Sequence, residues 1–317
     1  MTKQQDHIPE TPTLQNEALI ESLSFVERHN IHPLLFACAV LAIIFVLYQA
    51  GGRLVVFFAV GAGEITRNNV QLVRLLTMLG QLLFLLLPTL LFARLLSRKK
   101  HEIFPVRVPG IQESIVVLVA LFSLQRVFEA YLFFQDKVPI PKLLQELLDP
   151  IKKMMESLVA VLVHTESMPE LFFVILVVAI VPAIAEELLF RGLIQSTFNR
   201  MMPPSAAAIL SGIIFGLYHV NPFEAVPLVG LGIFFGILRY RSQSLAVPIA
   251  AHFLNNVLAV LAGYFGMESE NMLEAARFTP AVSTVLLELV MFGMLFAWSF
   301  ITYIRLTRAV CSNQGIS

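Results

Sequence analysis

The sequence predicts an all-α fold: a polytopic membrane bundle of about eight transmembrane helices. Composition is the first support. Of 317 residues, 57% are hydrophobic and 14% are charged, with a mean hydropathy of +0.78, whereas a soluble globule carries about a quarter charged residues. Distribution is the second. A helix needs roughly 20 apolar residues to cross a hydrocarbon core of about 30 Å, and eight stretches approach that length. They run near 33–50, 72–96, 113–134, 170–190, 205–221, 224–240, 244–265 and 281–304. Leu54–Val60 is apolar but too short to cross alone and is read as an interfacial continuation.

Between the spans, basic residues set the orientation. Arg98, Lys99, Lys100, Arg107, Arg200, Arg239, Arg241, Arg305 and Arg308 fall on the side of both termini. Arg53, Arg67, a 135–169 connection with lysines offset by acids, and the acidic Glu268/Glu270/Glu274 loop fall on the other. Short-loop basic excess predicts cytoplasmic termini in the cytoplasmic (inner) membrane. Within 135–169, Leu144, Leu147, Leu148, Ile151, Met154 and Met155 recur at helical spacing and predict an amphipathic surface helix. The expected organisation is a flexible cytoplasmic tail (1–30), one transmembrane domain (31–308) with its chemistry in 170–262, and a cytoplasmic tail (309–317). No cleavable signal peptide and no prenylation box are expected.

With a net charge of zero, bulk electrostatics point to neither nucleic acid nor an acidic substrate, and no nucleic-acid partner is expected. The two cysteines, Cys38 and Cys311, exclude a disulfide framework and a cysteine-based zinc cluster. No internal repeat is evident, which argues against an inverted-repeat transporter.

Charged groups at mid-bilayer cost about 2.5–3.5 kcal/mol each on insertion scales, so they persist where they pair or line a wet cavity. Three places break the apolar pattern. In Ala185-Glu186-Glu187-Leu188-Leu189-Phe190-Arg191, Glu187 and Arg191 are four apart, acid first, the favourable helical pairing. Glu186 lies about 100° round the helix and lacks that partner. Phe215-Gly216-Leu217-Tyr218-His219 ends a helix in which Gly212 and Gly216 allow close approach. In His252-Phe253-Leu254-Asn255-Asn256, His252 and Asn256 share a face and Asn255 points away. Each has an ordinary structural reading: an interfacial salt bridge, a satisfied core histidine, an interhelical clamp. Together, on nearby spans, they predict convergence on one hydrated pocket, because unsatisfied buried polar groups are costly. Arg126 and Glu129 are expected to pair within their own helix, His32 and His164 to lie at the interface, and Glu288 has no evident role.

These residues resemble a known family. Glu186-Glu187-x-x-x-Arg191, then Phe215-x-x-x-His219, then His252-x-x-x-Asn256 is similar to the three-motif signature of the CPBP (CAAX protease and bacteriocin-processing, Abi) intramembrane proteases, which include the CAAX prenyl endopeptidases. The resemblance covers about 170–262 and implies an eight-helix bundle that hydrolyses peptide bonds.

The chemistry suits that implication. Glu186 is the candidate general base, with His219 tuning it and holding the water. His252 and Asn256 are candidate oxyanion donors, and Glu187 with Arg191 would support the site. A metal-free reaction is favoured. The alternative places Zn²⁺ on Glu186, His219 and His252 with an open position for water, although no His-Glu-x-x-His is present. The expected partners are a peptide or protein substrate, lipidated or not, and membrane lipid. A non-catalytic scaffold or immunity protein and an ion-coupled transporter are the competing classes.

Overall fold

The computed structural model describes residues 23–61, 65–267, 280–308 and 310, and its described elements are all helical. The helices are α1 (Pro33–Val60), α2 (Val70–Leu96), α3 (Ile111–Gln135), α4 (Lys142–Val163), α5 (Met168–Phe198), α6 (Pro204–Tyr218), α7 (Ala225–Ser242), α8 (Ala246–Met267) and α9 (Val282–Leu306). Seven of them, all except α4 and α6, are long and apolar enough to cross a membrane, and the chain is a multi-pass membrane protein. The expected span at 205–221 is α6, which has 15 residues. At about 1.5 Å per residue it is shorter than the hydrocarbon core.

Leu54–Val60 is a continuation, as the sequence reading has it. It continues the first span in one 28-residue helix. The expected amphipathic segment is α4, none of whose residues is buried. Four π-helical turns, at Val46–Gly51, Gln81–Leu86, Ile175–Ile180 and Leu188–Ile194, interrupt α1, α2 and α5. Two of them end two residues before Pro88 and Pro182. A proline lacks the N–H for the helical ladder and its ring crowds the preceding turn, and a widened turn relieves both.

Hydrogen bonds define the two ends of the bundle. At one end Arg200 donates to Leu96 O at 2.9 Å and pairs with Glu27 at 3.2 Å. There too Arg107 donates to Ser242 O and its N–H to Ser244, and Arg241 reaches Ile304 O and Thr307. Residues near both termini therefore share this end. At the other end Arg74, completely buried in α2, donates to the C-terminal carbonyls of α4 at Leu162 and His164 and pairs with Glu170 at 2.5 Å. Arg67 pairs with Glu166, and Gln135 donates to Phe223 O between α6 and α7.

Residues 24–28, placed in the tail by the sequence reading, form a helical turn closed by a reciprocal Ser24–Glu27 capping box. Residues 1–22, the Glu268/Glu270/Glu274 loop, Cys311 and most of the 309–317 tail lie outside the described residues. His32 caps α1, its Nδ1 accepting from Leu34 N–H. Arg126 pairs with Glu129 as expected and also with Glu288 of α9 at 2.8 Å, which accounts for Glu288.

Candidate active site

Local sequence explains how α6 and α7 come together. A Cβ on Gly232 would meet Gly212 O at 2.3 Å, and one on Gly216 would meet Val229 N at 2.5 Å. Backbone therefore touches backbone, as small residues at i and i+4 permit. The contact brings the Gly232 carbonyl to Arg191, whose Nη2 donates to it at 2.8 Å.

Arg191 and Glu187 are both completely buried, with Arg191 Nε 3.2 Å from Glu187 Oε2. The guanidinium lies over the Phe215 ring at 4.5 Å, with Phe235 at 5.6 Å and Phe190 at 5.9 Å. An aromatic cage and one carboxylate thus hold a charge that lipid would not tolerate. The predicted pair forms.

The other oxygen of Glu187 does something the sequence reading did not anticipate. Oε1 is 2.9 Å from His252 Nδ1. The His252 ring stacks on Phe235, with centroids 5.1 Å apart and planes at 18°. A carboxylate only accepts, so Nδ1 carries the proton and the neutral ring presents an unprotonated Nε2. His219 is fixed the same way: its Nδ1 is 2.7 Å from Phe215 O, a carbonyl one turn back. Both free Nε2 atoms face Glu186. Its Oε2 is 3.6 Å from His219 Nε2 and 4.0 Å from His252 Nε2.

Neither separation is a direct hydrogen bond, and Glu186 Oε2 is a buried atom with no partner. Three acceptors thus converge on one point and call for a proton-bearing guest, for which a water is the natural size. Among the described residues Arg191 pairs with Glu187 and not with Glu186, as the helical spacing predicted. The donor types also suit zinc, with both Nδ1 atoms anchored as metal-bound histidines usually are. Yet among the described residues no group of three or more His, Cys, Asp or Glu is arranged to hold a metal ion.

Asn256 is placed differently from expectation. Its Nδ2 donates to Val178 O at 3.2 Å, and its Oδ1 accepts from Asn255 Nδ2 at 3.1 Å. Asn255 therefore does not point away. Its own Oδ1 accepts from Gln125 of α3 at 3.1 Å. This amide chain ties α3, α8 and α5 together and leaves Asn256 one further N–H to direct elsewhere.

Glu186 and His219 line a cavity of about 550 Å³. Its walls come from α1, α2 and α4 as well as α5 and α6, including Tyr48, Arg53, Thr77 and Leu162. The α1, α2 and α4 contributions are mostly apolar and carried no signal in the sequence. The four π-helical turns all fall in α1, α2 and α5, which border this cavity, and such turns are frequent at functional sites.

Fold and site together define a membrane-embedded helical bundle with a glutamate–histidine centre. Residues 168–258 match the family described as type II CAAX prenyl endopeptidase, Rce1-like. This segment, which holds all three motifs, is thus similar to the CPBP proteases. A Bacillus subtilis (strain 168) protein named as a membrane peptidase, YdiL, is 31% identical over 87 residues, covering 27% of this chain and 36% of the relative. The membrane-embedded CAAX protease MroQ of Staphylococcus aureus (strain USA300) is 33% identical over 91 residues, covering 26% of this chain and 36% of the relative. The chain thus matches about a third of the length of each curated relative. No solved structure matches significantly.

Proposed function

We propose that this protein is an intramembrane endopeptidase in which Glu186 activates a water for attack on a peptide bond. The observation that carries the reading is the unpartnered, buried Glu186 Oε2 facing two imidazole Nε2 atoms at 3.6 and 4.0 Å. A water there donates one hydrogen to Glu186 and the other to His219, and Glu186 takes the proton as the oxygen attacks. The proton then passes to the leaving amine.

His252, its Nδ1–H fixed on Glu187, turns Nε2 toward the reacting centre, where it donates to the oxyanion once it has taken up a proton in the reaction. Asn256 holds α8 against α5 and has its remaining N–H for the same oxyanion. Glu187 and Arg191 are supporting residues that hold His252 and the α5–α7 contact.

The substrate is a peptide or protein within or beside the membrane, lipidated or not, and both termini of the enzyme are cytoplasmic. Comparative proteomics of membranes carrying wild-type or Glu186→Ala protein tests the reading. The expected result is a fragment present with wild type and absent with the variant. Identical fragment patterns, with both proteins folded and equally abundant, would favour a scaffold. Full activity after strict chelation supports the metal-free chemistry, and loss restored by Zn²⁺ replaces it.

A further inference from the structure

Resting on the peptidase reading, we infer that α1 carries a substrate-binding strip in which Arg53 pairs with a carboxylate of the bound peptide. The sequence reading counted Arg53 among the charges between spans. The structure places it inside α1, with the apolar residues Leu54–Val60 continuing the helix beyond it. That continuation adds roughly 10 Å of apolar helix at about 1.5 Å per residue, so Arg53 is not the polar end of a span.

From Pro33 to Val60, the side chains that form strong hydrogen bonds are Tyr48, Gln49 and Arg53. All three line the cavity that also holds Glu186 and His219. Residues one turn apart share a helix face, so 48, 49, 52 and 53 make one strip, and Gly52 lines the cavity as well. Polar groups in a membrane helix are costly unless they are used. The polar groups of α1 are gathered on the cavity side.

Their chemistry defines the guest. An extended peptide held within the membrane must satisfy its backbone N–H and C=O groups from the protein, and Tyr48 and Gln49 offer a hydroxyl and an amide. Arg53 offers a planar fork of donors that fits a carboxylate. Among the described residues no acid pairs with Arg53, whereas Arg74 and Arg126, also inside spans, each hold a glutamate. Glu166 and Glu170 are taken by Arg67 and Arg74. The charge of Arg53 is therefore left for a ligand. The anion that an unmodified peptide carries at neutral pH is a carboxylate, on a side chain or at the chain end.

Binding of fluorescent apolar peptides to the full chain in lipid nanodiscs tests this, with Glu186→Gln present throughout so that bound peptide is not consumed. The peptides share one sequence and differ only in charge. One is neutral (Gln, amidated end), one has an acidic side chain (Glu, amidated end), one a free C-terminal carboxylate (Gln, free end), and one is basic (Lys, amidated end). At least one acidic peptide is expected to bind about tenfold more tightly than the neutral one, the worth of a charge-assisted hydrogen bond. Which of the two it is names the source of the carboxylate. Arg53→Gln is expected to erase the preference, Arg53→Lys to keep most of it, and Arg53→Glu to transfer it to the basic peptide. A merely structural role would not produce that inversion, and thermal midpoints recorded alongside are expected to be equal. Equal binding of neutral and acidic peptides, no binding of any, or an acidic preference that survives Arg53→Gln overturns the inference. No cleavage is read, so an acidic preference set by Arg53 stands even where the Glu186→Ala proteomics overturns the peptidase reading.

Discussion

Two sets of charged residues within the apolar spans are used differently. In the α3–α9 pair the charges close on themselves: Arg126 holds Glu129 of its own helix and Glu288 opposite. Glu129 is exposed, Glu288 is partly so, and the set is complete. Across α5–α8 the balance is deliberately incomplete. Glu187 has Arg191 and His252, while Glu186 has no hydrogen bond on its inner oxygen. A charged residue in a membrane helix therefore points to chemistry when its neighbours leave a valence open. A closed set, however conspicuous in the sequence, points to assembly.

The contrast can be broken by mutation. Arg191→Met leaves Glu187 buried with His252 alone, and removing one partner of a buried pair costs about 3–5 kcal/mol. Its midpoint in detergent thermal unfolding should fall well below that of Arg126→Met, whose half-exposed ion pairs are worth about 0–1 kcal/mol. Equal falls would erase the distinction between the two pairs.

Packing gives the next largest effect. Gly232→Ala puts a Cβ 2.3 Å from Gly212 O, a backbone atom that cannot swing away. Overpacking of this kind costs about 1–3 kcal/mol. Gly293→Ala in α9 meets nothing within 4 Å and is expected to be neutral or slightly stabilising, since alanine favours helix. Size-exclusion profiles with thermal midpoints of the two variants sharpen the comparison, and a destabilised Gly293→Ala would count against the α6–α7 seam being special.

The smallest effect lies outside the spans. The Ser24 backbone N–H, together with the Ser24 hydroxyl and Arg200, holds the Glu27 carboxyl below its usual range. A lowered folded-state value means the contribution is complete above the ordinary carboxylate value and fades as pH falls through the folded one. Between about pH 7 and about pH 4, wild type should lose slightly more thermal stability than Glu27→Gln. Parallel loss would show that the capping box carries no such contribution.

Much of the fold and half of the site were legible in the sequence. The spans are visible because each apolar run is long. Glu186, Glu187, Arg191, His219 and His252 are visible because lipid excludes such residues unless they are used. The Glu187–His252 hydrogen bond was not legible, because it joins residues 65 apart through the crossing of α5 and α8. The Asn255–Gln125 link was missed for the same reason: helical phase alone turned Asn255 away, and a neighbouring helix supplied its partner. The α1–α2–α4 wall of the cavity is ordinary apolar sequence. Only Pro88, Pro182 and the polar Tyr48 and Gln81 hinted that these spans are irregular.

The central claim is that Glu186, the carboxylate left open, activates the water. Purified wild type and Glu186→Gln can be compared on the peptide that yields the membrane fragment, with thermal midpoints recorded alongside. The account predicts an unchanged midpoint and a fall in cleavage rate of about 10²–10⁴-fold, the usual worth of a general base. Cleavage within a few-fold of wild type, by a Glu186→Gln protein that is equally stable, would contradict it.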